Sequence, residues 1–437
     1  MGLLERLERR EARVGVIGLG YVGLPLAVAA ARAGYAVTGF DIDAGKIARL
    51  ERGQSYIEAV LDADLAATAG QCDWTDDFAR IASCDVVVIC VPTPLSANRE
   101  PDLSYVERTA RQIAAHLTAE TLVVLESTTW PGTTEEVLKP LLAESGLVLG
   151  RDVLVGFSPE REDPGNDRYR TSTIPKIIAG DGAEAQAMMA AFYGAVVEAV
   201  VPVSSPKVAE AVKITENIFR AVNIALVNEL KLIYDEMGID VWEVIEGAST
   251  KPFGYMPFYP GPGLGGHCIP IDPFYLTWRA RQFDVPTRFI ELAGEINTRM
   301  PAHIVQRTRE TLDLATGRGL KGARLLLVGV AYKKNVSDMR ESPAMRLMQL
   351  FEEAGAEVQF IDPHVPAIPP MREYGVYEGR QALDPARIGA AGFDAVVIAT
   401  DHDAIDYAAL LALGCPVIDT RNAVARRGLP MERVTKA

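Results

Sequence analysis

The fold of this chain is decided near its beginning by Arg13-Val-Gly-Val-Ile-Gly18-Leu-Gly20-Tyr-Val-Gly23-Leu-Pro-Leu-Ala-Val-Ala-Ala-Ala-Arg-Ala33. A short β-branched run stops at a glycine, and an alanine-rich stretch with helical composition follows it. Ala36-Val-Thr-Gly-Phe-Asp41 then predicts a second strand that ends in a carboxylate. Strand, glycine turn, helix and strand within about thirty residues form a βαβ unit.

The glycine turn carries a G-x-G-x-x-G pattern at Gly18, Gly20 and Gly23. The first glycine allows a tight turn, the second lets the backbone approach a pyrophosphate, and the third permits close packing of helix on strand. Asp41 lies 18 residues after Gly23, where a carboxylate accepts hydrogen bonds from ribose hydroxyls and repels a 2′-phosphate. A turn without a ligand is the alternative, but the strand, helix and acidic residue together favour an NAD site.

The rest of the chain repeats this α/β pattern after a helical interruption. Apolar runs at 86–91, 121–125 and 153–156 predict further parallel strands, and a second α/β pattern begins at 323. We therefore predict an α/β protein with two Rossmann-like doubly wound domains joined by a helical domain with one long central helix. The predicted domains are residues 1–203, 204–316 and 317–437.

The long central helix is predicted from Pro206 to Met237. Ser204 and Ser205 offer N-caps, no glycine or proline interrupts 207–237, and Gly238 is a C-terminal stop. A helix of thirty-odd residues is roughly 45–50 Å long. Its length and apolar content favour burial against a second copy of the chain, so we expect a homodimer.

Composition excludes several classes of protein. The formal net charge of −14 argues against nucleic-acid binding. Five scattered cysteines without C-x-x-C pairs predict reduced thiols, and the charged N-terminus shows no signal peptide. No apolar run reaches the roughly 18 residues of a membrane span, and the five histidines show no paired ligand spacing. These features predict a soluble cytoplasmic protein with no membrane segment and no metal.

A glycine- and proline-rich stretch at 251–273 contains Gly265-Gly-His-Cys268. Rigid irregular loops present reactive side chains, and a thiolate is nucleophilic near neutral pH when a cation lowers its pKa. Composition alone leaves Cys268 open between a nucleophile and an inert thiol. His267 fits a structural role, or that of a hydrogen-bonding neighbour of the active site, better than that of a base or a metal ligand. Lys213 and Asn217, four residues apart, project from one face of the long helix.

Five motifs, in this order along almost the whole chain, resemble the UDP-glucose and UDP-N-acetylhexosamine 6-dehydrogenase family. They are the N-terminal fingerprint, Ser158-Pro-Glu-Arg161, Lys213-Ile-Thr-Glu-Asn217, Gly265-Gly-His-Cys268-Ile-Pro-Ile-Asp272 and Ala331-Tyr-Lys333-Lys-Asn-Val-Ser-Asp-Met-Arg340. The resemblance implies an NAD domain, a central dimerisation domain that carries the cysteine loop, and a C-terminal UDP-binding domain.

The resemblance also implies roles for residues at the motif positions. Cys268 is the nucleophile, Lys213 and Asn217 stabilise negative charge on the sugar oxygen, and Asp272 orders the water or the lysine. Thr128 and Glu160 belong to the water and proton network. The implied cofactor contacts are Gly18, Gly20, Tyr21, Val22, Gly23, Asp41, Thr93, Thr128 and Arg340. The implied contacts with the UDP-sugar are Glu160, Arg161, Lys213, Asn217, Phe258, Tyr259, Gly265, Tyr332 and Lys333.

Two departures from the family pattern bear on the substrate. Members that act on plain UDP-glucose usually carry a second glutamate four residues after the position of Glu160, where this chain has Pro164. They also usually have lysine before the aspartate, where this chain has Ile271. With the 251–263 loop, these changes resemble the branch that oxidises UDP-N-acetylglucosamine, for polysaccharide biosynthesis.

Several alternatives stay open at this point. The sugar could instead be that of UDP-glucose, UDP-N-acetylmannosamine or UDP-N-acetylgalactosamine. A one-step hydroxy-acid dehydrogenase also pairs a nucleotide domain with a helical one, but it leaves the second α/β domain and the Cys268 loop unexplained. A non-catalytic nucleotide sensor is the third class. The number of NADH released per substrate separates these classes: two, one or none.

Overall fold

The structure, a computed structural model, describes residues 2–96, 100–161, 172–266, 269, 271–371 and 373–437. The chain forms two compact units: Met1–Glu216 with Phe274–Pro286, and Asn217–Pro273 with Thr287–Ala437. The division into three functional domains stays a prediction.

The first unit is built on a mostly parallel sheet. Its strands are β1 (Arg13–Ile17), β2 (Ala36–Phe40), β3 (Cys72–Thr75), β4 (Val86–Ile89), β5 (Thr121–Leu125), β6 (Val153–Phe157), β7 (Lys176–Gly180) and β8 (Val200–Pro202). Their order is β3-β2-β1-β4-β5-β6-β7-β8, and the β6–β7 pair is antiparallel. The order reverses between β1 and β4, and ligands bind at such a switch point in doubly wound sheets.

Helices cover the sheet of the first unit. They are α1 (Leu3–Glu8), α2 (Gly23–Arg32), α3 (Ala44–Glu51), α4 (Asp62–Thr68), α5 (Ser104–Ala114), α6 (Lys139–Leu142) and α7 (Ala183–Val196). β4 and β5 are buried along their whole length, as expected for parallel strands covered on both faces. A core of apolar residues joins α1, α2 and α7 to the sheet.

The long helix α8 runs from Pro206 to Glu236, and the boundary between the two units falls within it. The Ser205 hydroxyl accepts a hydrogen bond from the Val208 amide at 3.3 Å, which caps the first turn. Gly238 has a φ of 68°, the left-handed conformation that ends helices. The predicted start and stop signals are therefore confirmed, with the last helical residue one position before Met237.

The second unit contains a parallel sheet and the remaining helices. Its elements are α9 (Val241–Ser249), α11 (Arg288–Thr316), β9 (Arg324–Val328), α12 (Pro343–Glu353), β10 (Glu357–Ile361), α13 (Ile388–Ala391), β11 (Ala395–Ile398), α14 (Tyr407–Leu411), β12 (Val417–Asp419) and β13 (Val434–Lys436). The strand order is β10-β9-β11-β12-β13. Helix α10 (Asp272–Arg281) starts in this unit and continues into the first.

The predicted fold class is confirmed by these elements: two doubly wound α/β sheets and one long central helix. No helix among the described residues is both long enough and apolar enough to cross a membrane.

Candidate functional site

The turn between β1 and α2 has no room for side chains at two of its glycines. A Cβ on residue 23 would lie 1.9 Å from the carbonyl oxygen of Gly18, and one on residue 18 would lie 2.8 Å from that of Cys90. Gly18 also has a φ of 91°, which only glycine adopts without strain. A Cβ on Gly20, by contrast, would meet no atom within 4 Å. The chain is therefore tightly packed on both sides of an open position.

Asp41 follows β2 and is buried beside this turn. Its carboxylate accepts hydrogen bonds from the amides of Leu19 and Asp43, each at 3.0 Å. Lys46 of α3 pairs with the same carboxylate at 3.2 Å. The carboxylate is thus fixed in orientation, and a cation lies beside it.

These features fit the dinucleotide predicted from the sequence. No side chain caps the first turn of α2, and the positive end of a helix dipole favours a negatively charged group such as a pyrophosphate at this position. Gly20 leaves space for the pyrophosphate, and Asp41 has acceptor capacity for ribose hydroxyls. Tyr21 and Val22 lie in the turn itself, partly buried against the core.

Other predicted residues follow the carboxyl ends of neighbouring strands in the first unit. Thr93 comes after β4, and its carbonyl oxygen accepts a hydrogen bond from the Tyr275 hydroxyl at 2.9 Å. Thr128 is half-buried after β5, and Glu160 is half-buried after β6. Because strands β1, β4, β5 and β6 are parallel, their carboxyl ends lie along one edge of the sheet. The structure therefore places these predicted residues along one edge.

Lys213 of α8 is buried and donates a hydrogen bond to the main-chain carbonyl of Glu160. This carbonyl is a neutral acceptor, so it orients the ammonium without cancelling its charge. Next to it, Arg161 forms an ion pair with Glu216 at 2.6 Å. Two consecutive residues after β6, Glu160 and Arg161, thus both contact side chains of α8.

A buried carboxylate fixes the start of α8. Glu210 accepts hydrogen bonds from the amide and hydroxyl of Thr134, at 2.8 and 2.7 Å, and from the amide of Gly132. Burial raises the pKa of Glu210 to about 7. Glu210 lies one helical turn before Lys213, so it fixes the part of α8 that carries this lysine.

In the second unit, Asn217 and Asp272 are both buried, and the Asn217 amide donates to the Asp272 carboxylate. Asp272 is the first residue of α10. Two residues predicted from separate motifs, 55 positions apart, are therefore in direct contact.

The loop that leads to Cys268 packs against residues of the fifth motif. A Cβ on Gly265 would lie 2.7 Å from Tyr332 Cβ, and one on Gly266 would lie 3.0 Å from the Tyr332 ring. The Gly266 amide donates to the Arg340 carbonyl at 3.0 Å, and the Arg340 guanidinium pairs with Asp338 at 2.6 Å. The structure brings Gly265, Tyr332 and Arg340 together, and the half-buried Lys333 follows Tyr332.

Phe258 and Tyr259 belong to an aromatic group in the second unit. Phe258 meets Phe219 of α8 edge to face, with ring centroids 5.7 Å apart. Tyr259 stacks on Trp242 at 5.4 Å, and the Arg426 guanidinium lies 4.6 Å from the Tyr259 ring. Ring contacts within the second unit thus fix the orientations of the Phe258 and Tyr259 side chains.

Cys268, His267 and Pro164 lie outside the described residues. The cysteines that the structure describes, Cys72, Cys84, Cys90 and Cys415, form no disulfide bonds. Burial raises the pKa of Cys72 and of Cys84 to about 11, and it also raises the pKa of Cys415. Because a raised pKa keeps these three thiols protonated at neutral pH, they are poor candidates for a nucleophile. Among the described residues, no group of three or more His, Cys, Asp or Glu side chains could hold a metal ion.

Sequence reasoning missed five residues that support the predicted ones: Lys46, Glu126, Lys176, Glu210 and Tyr275. Lys46, five residues after Asp41, had a signal in its spacing to the acidic residue. Glu126 and Lys176 directly flank apolar runs, where charged residues usually face solvent. Their burial depends on a contact between residues 50 positions apart, which no local pattern reports.

Comparison with known proteins gives three matches in order along the chain. All are described as domains of the UDP-glucose/GDP-mannose dehydrogenase family: the NAD binding domain at 12–197, the central domain at 207–299 and the UDP binding domain at 326–426. Together they cover most of the chain.

Two curated relatives are similar over nearly their whole length. The chain is 36% identical over 398 residues to a UDP-N-acetyl-D-glucosamine 6-dehydrogenase of Pseudomonas aeruginosa, which covers 90% of this chain and 91% of that protein. It is also 36% identical over 393 residues to a UDP-N-acetyl-D-mannosamine dehydrogenase of Pyrococcus horikoshii, with 89% of each covered. A solved UDP-D-ManNAc dehydrogenase of Pyrococcus horikoshii superimposes with a TM-score of 0.85 at 35% identity, covering 94% and 96% of the two chains.

The Asp41–Lys46 pair generates a prediction about the cofactor. Asp41→Asn removes the charge that repels a 2′-phosphate and weakens the contact to the ribose. We expect kcat/KM with NAD to fall roughly 10- to 100-fold, as for the loss of a hydrogen bond to a charged group. NADP use should rise, because Lys46 remains beside the site. The double variant Asp41→Asn/Lys46→Met is the control and should lose the gain with NADP. Equal turnover with NAD and NADP in the unmodified protein would contradict the role of Asp41.

Proposed function

Because the chain belongs to the UDP-glucose/GDP-mannose dehydrogenase family, we propose that it oxidises the C6 alcohol of a UDP-hexose to a carboxylate through a thioester on Cys268. The three family matches and the relatives identify the chain as an NAD-dependent UDP-sugar dehydrogenase. The observation that carries the finer proposal is the buried Asn217–Asp272 contact, which joins the motif of the long helix to that of the cysteine loop.

The proposed reaction removes four electrons from the sugar. NAD, when bound at the β1–α2 turn, accepts a hydride in each of the two oxidation steps. Cys268 adds to the intermediate aldehyde as a thiohemiacetal, which keeps the aldehyde from escaping, and the second oxidation turns this adduct into a thioester. Water then replaces sulfur at the acyl carbon, releasing the carboxylate and regenerating the thiol.

Buried polar residues support the charged stages of this reaction. The Glu160 carbonyl orients the Lys213 ammonium, which in our proposal stabilises an alkoxide or oxyanion. In our proposal the Asn217 amide, held by Asp272, donates to the same developing charge. We assign Thr128 and Glu160 to the water and proton network.

The remaining roles are proposed unit by unit. Residues 1–203 bind NAD, residues 204–316 carry the dimer helix and the cysteine loop, and residues 317–437 bind UDP. The family matches at 12–197, 207–299 and 326–426 support this division. The proposed substrate contacts are Arg161, Phe258, Tyr259, Gly265, Tyr332 and Lys333, and Arg340 is proposed to contact the cofactor.

We propose UDP-N-acetylglucosamine as the substrate, for polysaccharide biosynthesis. The relative from Pseudomonas aeruginosa supports this sugar, as do Pro164 and Ile271 in the sequence. Ile271 is buried in the second unit, where an apolar side chain replaces the lysine usual in members that act on UDP-glucose. The equally similar relative from Pyrococcus horikoshii favours UDP-N-acetylmannosamine as a second candidate.

We also propose a homodimer through α8. Phe219, Leu226 and Ile233 are spaced seven residues apart, lie on one face of the helix and are 49%, 49% and 47% exposed. A continuous apolar stripe of this kind favours burial against another protein surface. A second copy of the chain carries the same stripe, so a twofold-symmetric dimer buries both stripes against each other.

A screen of UDP-sugars tests the substrate. We expect kcat/KM to be higher with UDP-N-acetylglucosamine than with UDP-glucose, and two NADH to be released per sugar. Preference for UDP-N-acetylmannosamine would select the second candidate. One NADH per substrate would indicate a one-step dehydrogenase, and none would indicate a nucleotide sensor.

Substitution of Cys268 tests the covalent route. Cys268→Ser should abolish net turnover while nucleotide binding stays within about twofold of the unmodified protein. Since an alkoxide is a poorer acyl leaving group than a thiolate, an ester-linked sugar should accumulate and appear in the intact mass. Cys72→Ser is the matched control and should keep its turnover. A Cys268→Ala variant that still releases two NADH at a near-normal rate would exclude the thioester.

Charge in the apolar stripe tests the dimer. Leu226→Glu should yield monomers by light scattering at micromolar concentration, because it buries an unpaired carboxylate in the interface. Leu314→Glu places the same charge at an exposed leucine of α11 and should remain dimeric. An unmodified protein that is monomeric and fully active would refute the proposal.

A further inference from the structure

The first unit contains a network of buried polar side chains that has no role in the reaction proposed above. The Lys176 ammonium donates a hydrogen bond to Glu126 Oε2 at 2.9 Å and forms an ion pair with Glu160 Oε2 at 3.5 Å. The Tyr193 hydroxyl donates to the other oxygen of Glu126. The exposed fractions of the Glu126 and Lys176 side chains are 0% and 6%. These side chains come from the end of β5, the start of β7 and the interior of α7.

This network ends at Glu160, a residue with a proposed chemical role. Glu160 Oε1 accepts from the Arg161 amide at 2.6 Å, Oε2 faces Lys176, and its carbonyl accepts from Lys213. Glu160 thus lies between two lysines, one bound to its side chain and one to its main chain. Among the described residues, the ionisable groups near Lys176 and Glu160 include Cys90, Glu126, Arg161, Tyr193, Lys213 and Glu216.

Within this network, the carboxylates outnumber the ammonium group that they contact. Two carboxylates, Glu126 and Glu160, share one buried ammonium. Burial raises the pKa of Glu126, Lys176 lowers it, and Glu160 raises it again. Burial lowers the pKa of Lys176, but the two carboxylates outweigh this effect and hold it above its usual value. The lysine therefore stays charged, and the two glutamates compete for it.

We propose that Lys176 is a positioning residue that orients the Glu160 carboxylate and compensates its negative charge, with Glu126 and Tyr193 setting how much of the lysine's charge acts on Glu160. This inference rests on the proposed function. In the hydrolytic step, the water oxygen bonds to the acyl carbon and its proton passes to the Glu160 carboxylate. The carbon–sulfur bond breaks, and the Cys268 thiolate leaves. A proton already on Glu160 would stop this transfer.

The proposal makes two substitutions act in opposite directions. Glu126→Gln removes the competing carboxylate, so Lys176 pairs with Glu160 alone and the acid limb of the hydrolytic step should move to lower pH. Adding Lys176→Met in that background removes the cation, and the acid limb should move to higher pH. An opposite charge within 4–6 Å changes the pKa of a carboxyl by roughly one to three units. The Glu126→Gln background also avoids leaving Glu126 buried and unpaired.

The readout is the pH dependence of thioester decay, followed by quenching single turnovers and measuring the intact mass of the enzyme. The acid limb should move to lower pH in Glu126→Gln. It should move at least one pH unit higher in Glu126→Gln/Lys176→Met than in Glu126→Gln, with KM for the UDP-sugar changed less than twofold. Lys176→Arg should keep the limb of the unmodified enzyme. Lys231→Met removes another buried lysine, paired with Asp235, and should leave the limb in place.

An acid limb that does not differ between Glu126→Gln and the double variant would overturn the proposal, as would an equal loss of rate at every pH. If the double variant does not fold, a limb in Glu126→Gln that fails to move to lower pH has the same consequence. Should no UDP-sugar yield NADH, the proposed function fails, and urea unfolding then decides on Lys176. In the Glu126→Gln background, Lys176→Met and Glu160→Gln should be non-additive in the free energy of unfolding, and additive effects would refute the pairing.

Discussion

The close approach of Gly23 to the carbonyl oxygen of Gly18 is the constraint on which the first unit depends. With 1.9 Å between that oxygen and the position of a Cβ, no other residue fits there without moving α2 or β1. The contact places the uncapped end of α2 over the end of β1, beside the point where the strand order reverses. The shape of the dinucleotide site thus depends on the absence of a side chain at residue 23. Thr93 and Thr128 lie along the same edge of the sheet.

Three buried carboxylates of the first unit, Asp41, Glu126 and Glu210, are each accompanied by donors or counter-charges. Asp41 has two amides and a lysine, Glu210 has two amides and a hydroxyl, and Glu126 has a lysine and a tyrosine. An unpaired charge in such positions would cost several kcal/mol. Two of these residues act on parts of the chain that the proposed reaction uses. Glu210 fixes the start of α8 before Lys213, and Glu126 shares Lys176 with Glu160.

Local sequence was sufficient for the elements whose cause is local. The glycine turn, the strand that ends at Asp41 and the helix from Pro206 to the stop at Gly238 all follow from steric and capping rules that act within a few residues. β7 was not foreseen, because it pairs antiparallel with β6 and starts with a lysine. The candidate site shows the same division. Asn217 and Asp272 were predicted separately from motifs, but their contact across 55 residues depends on the folded chain.

The buried cysteines have a consequence for chemical labelling. A thiol with a pKa of about 11, as for Cys72 and Cys84, is ionised to roughly one part in ten thousand at pH 7, and only the thiolate reacts with alkylating reagents. Electrophiles and peroxide are therefore expected to react slowly with Cys72 and Cys84. A nucleophilic Cys268 would react faster than these two thiols, so its modification could be timed in their presence.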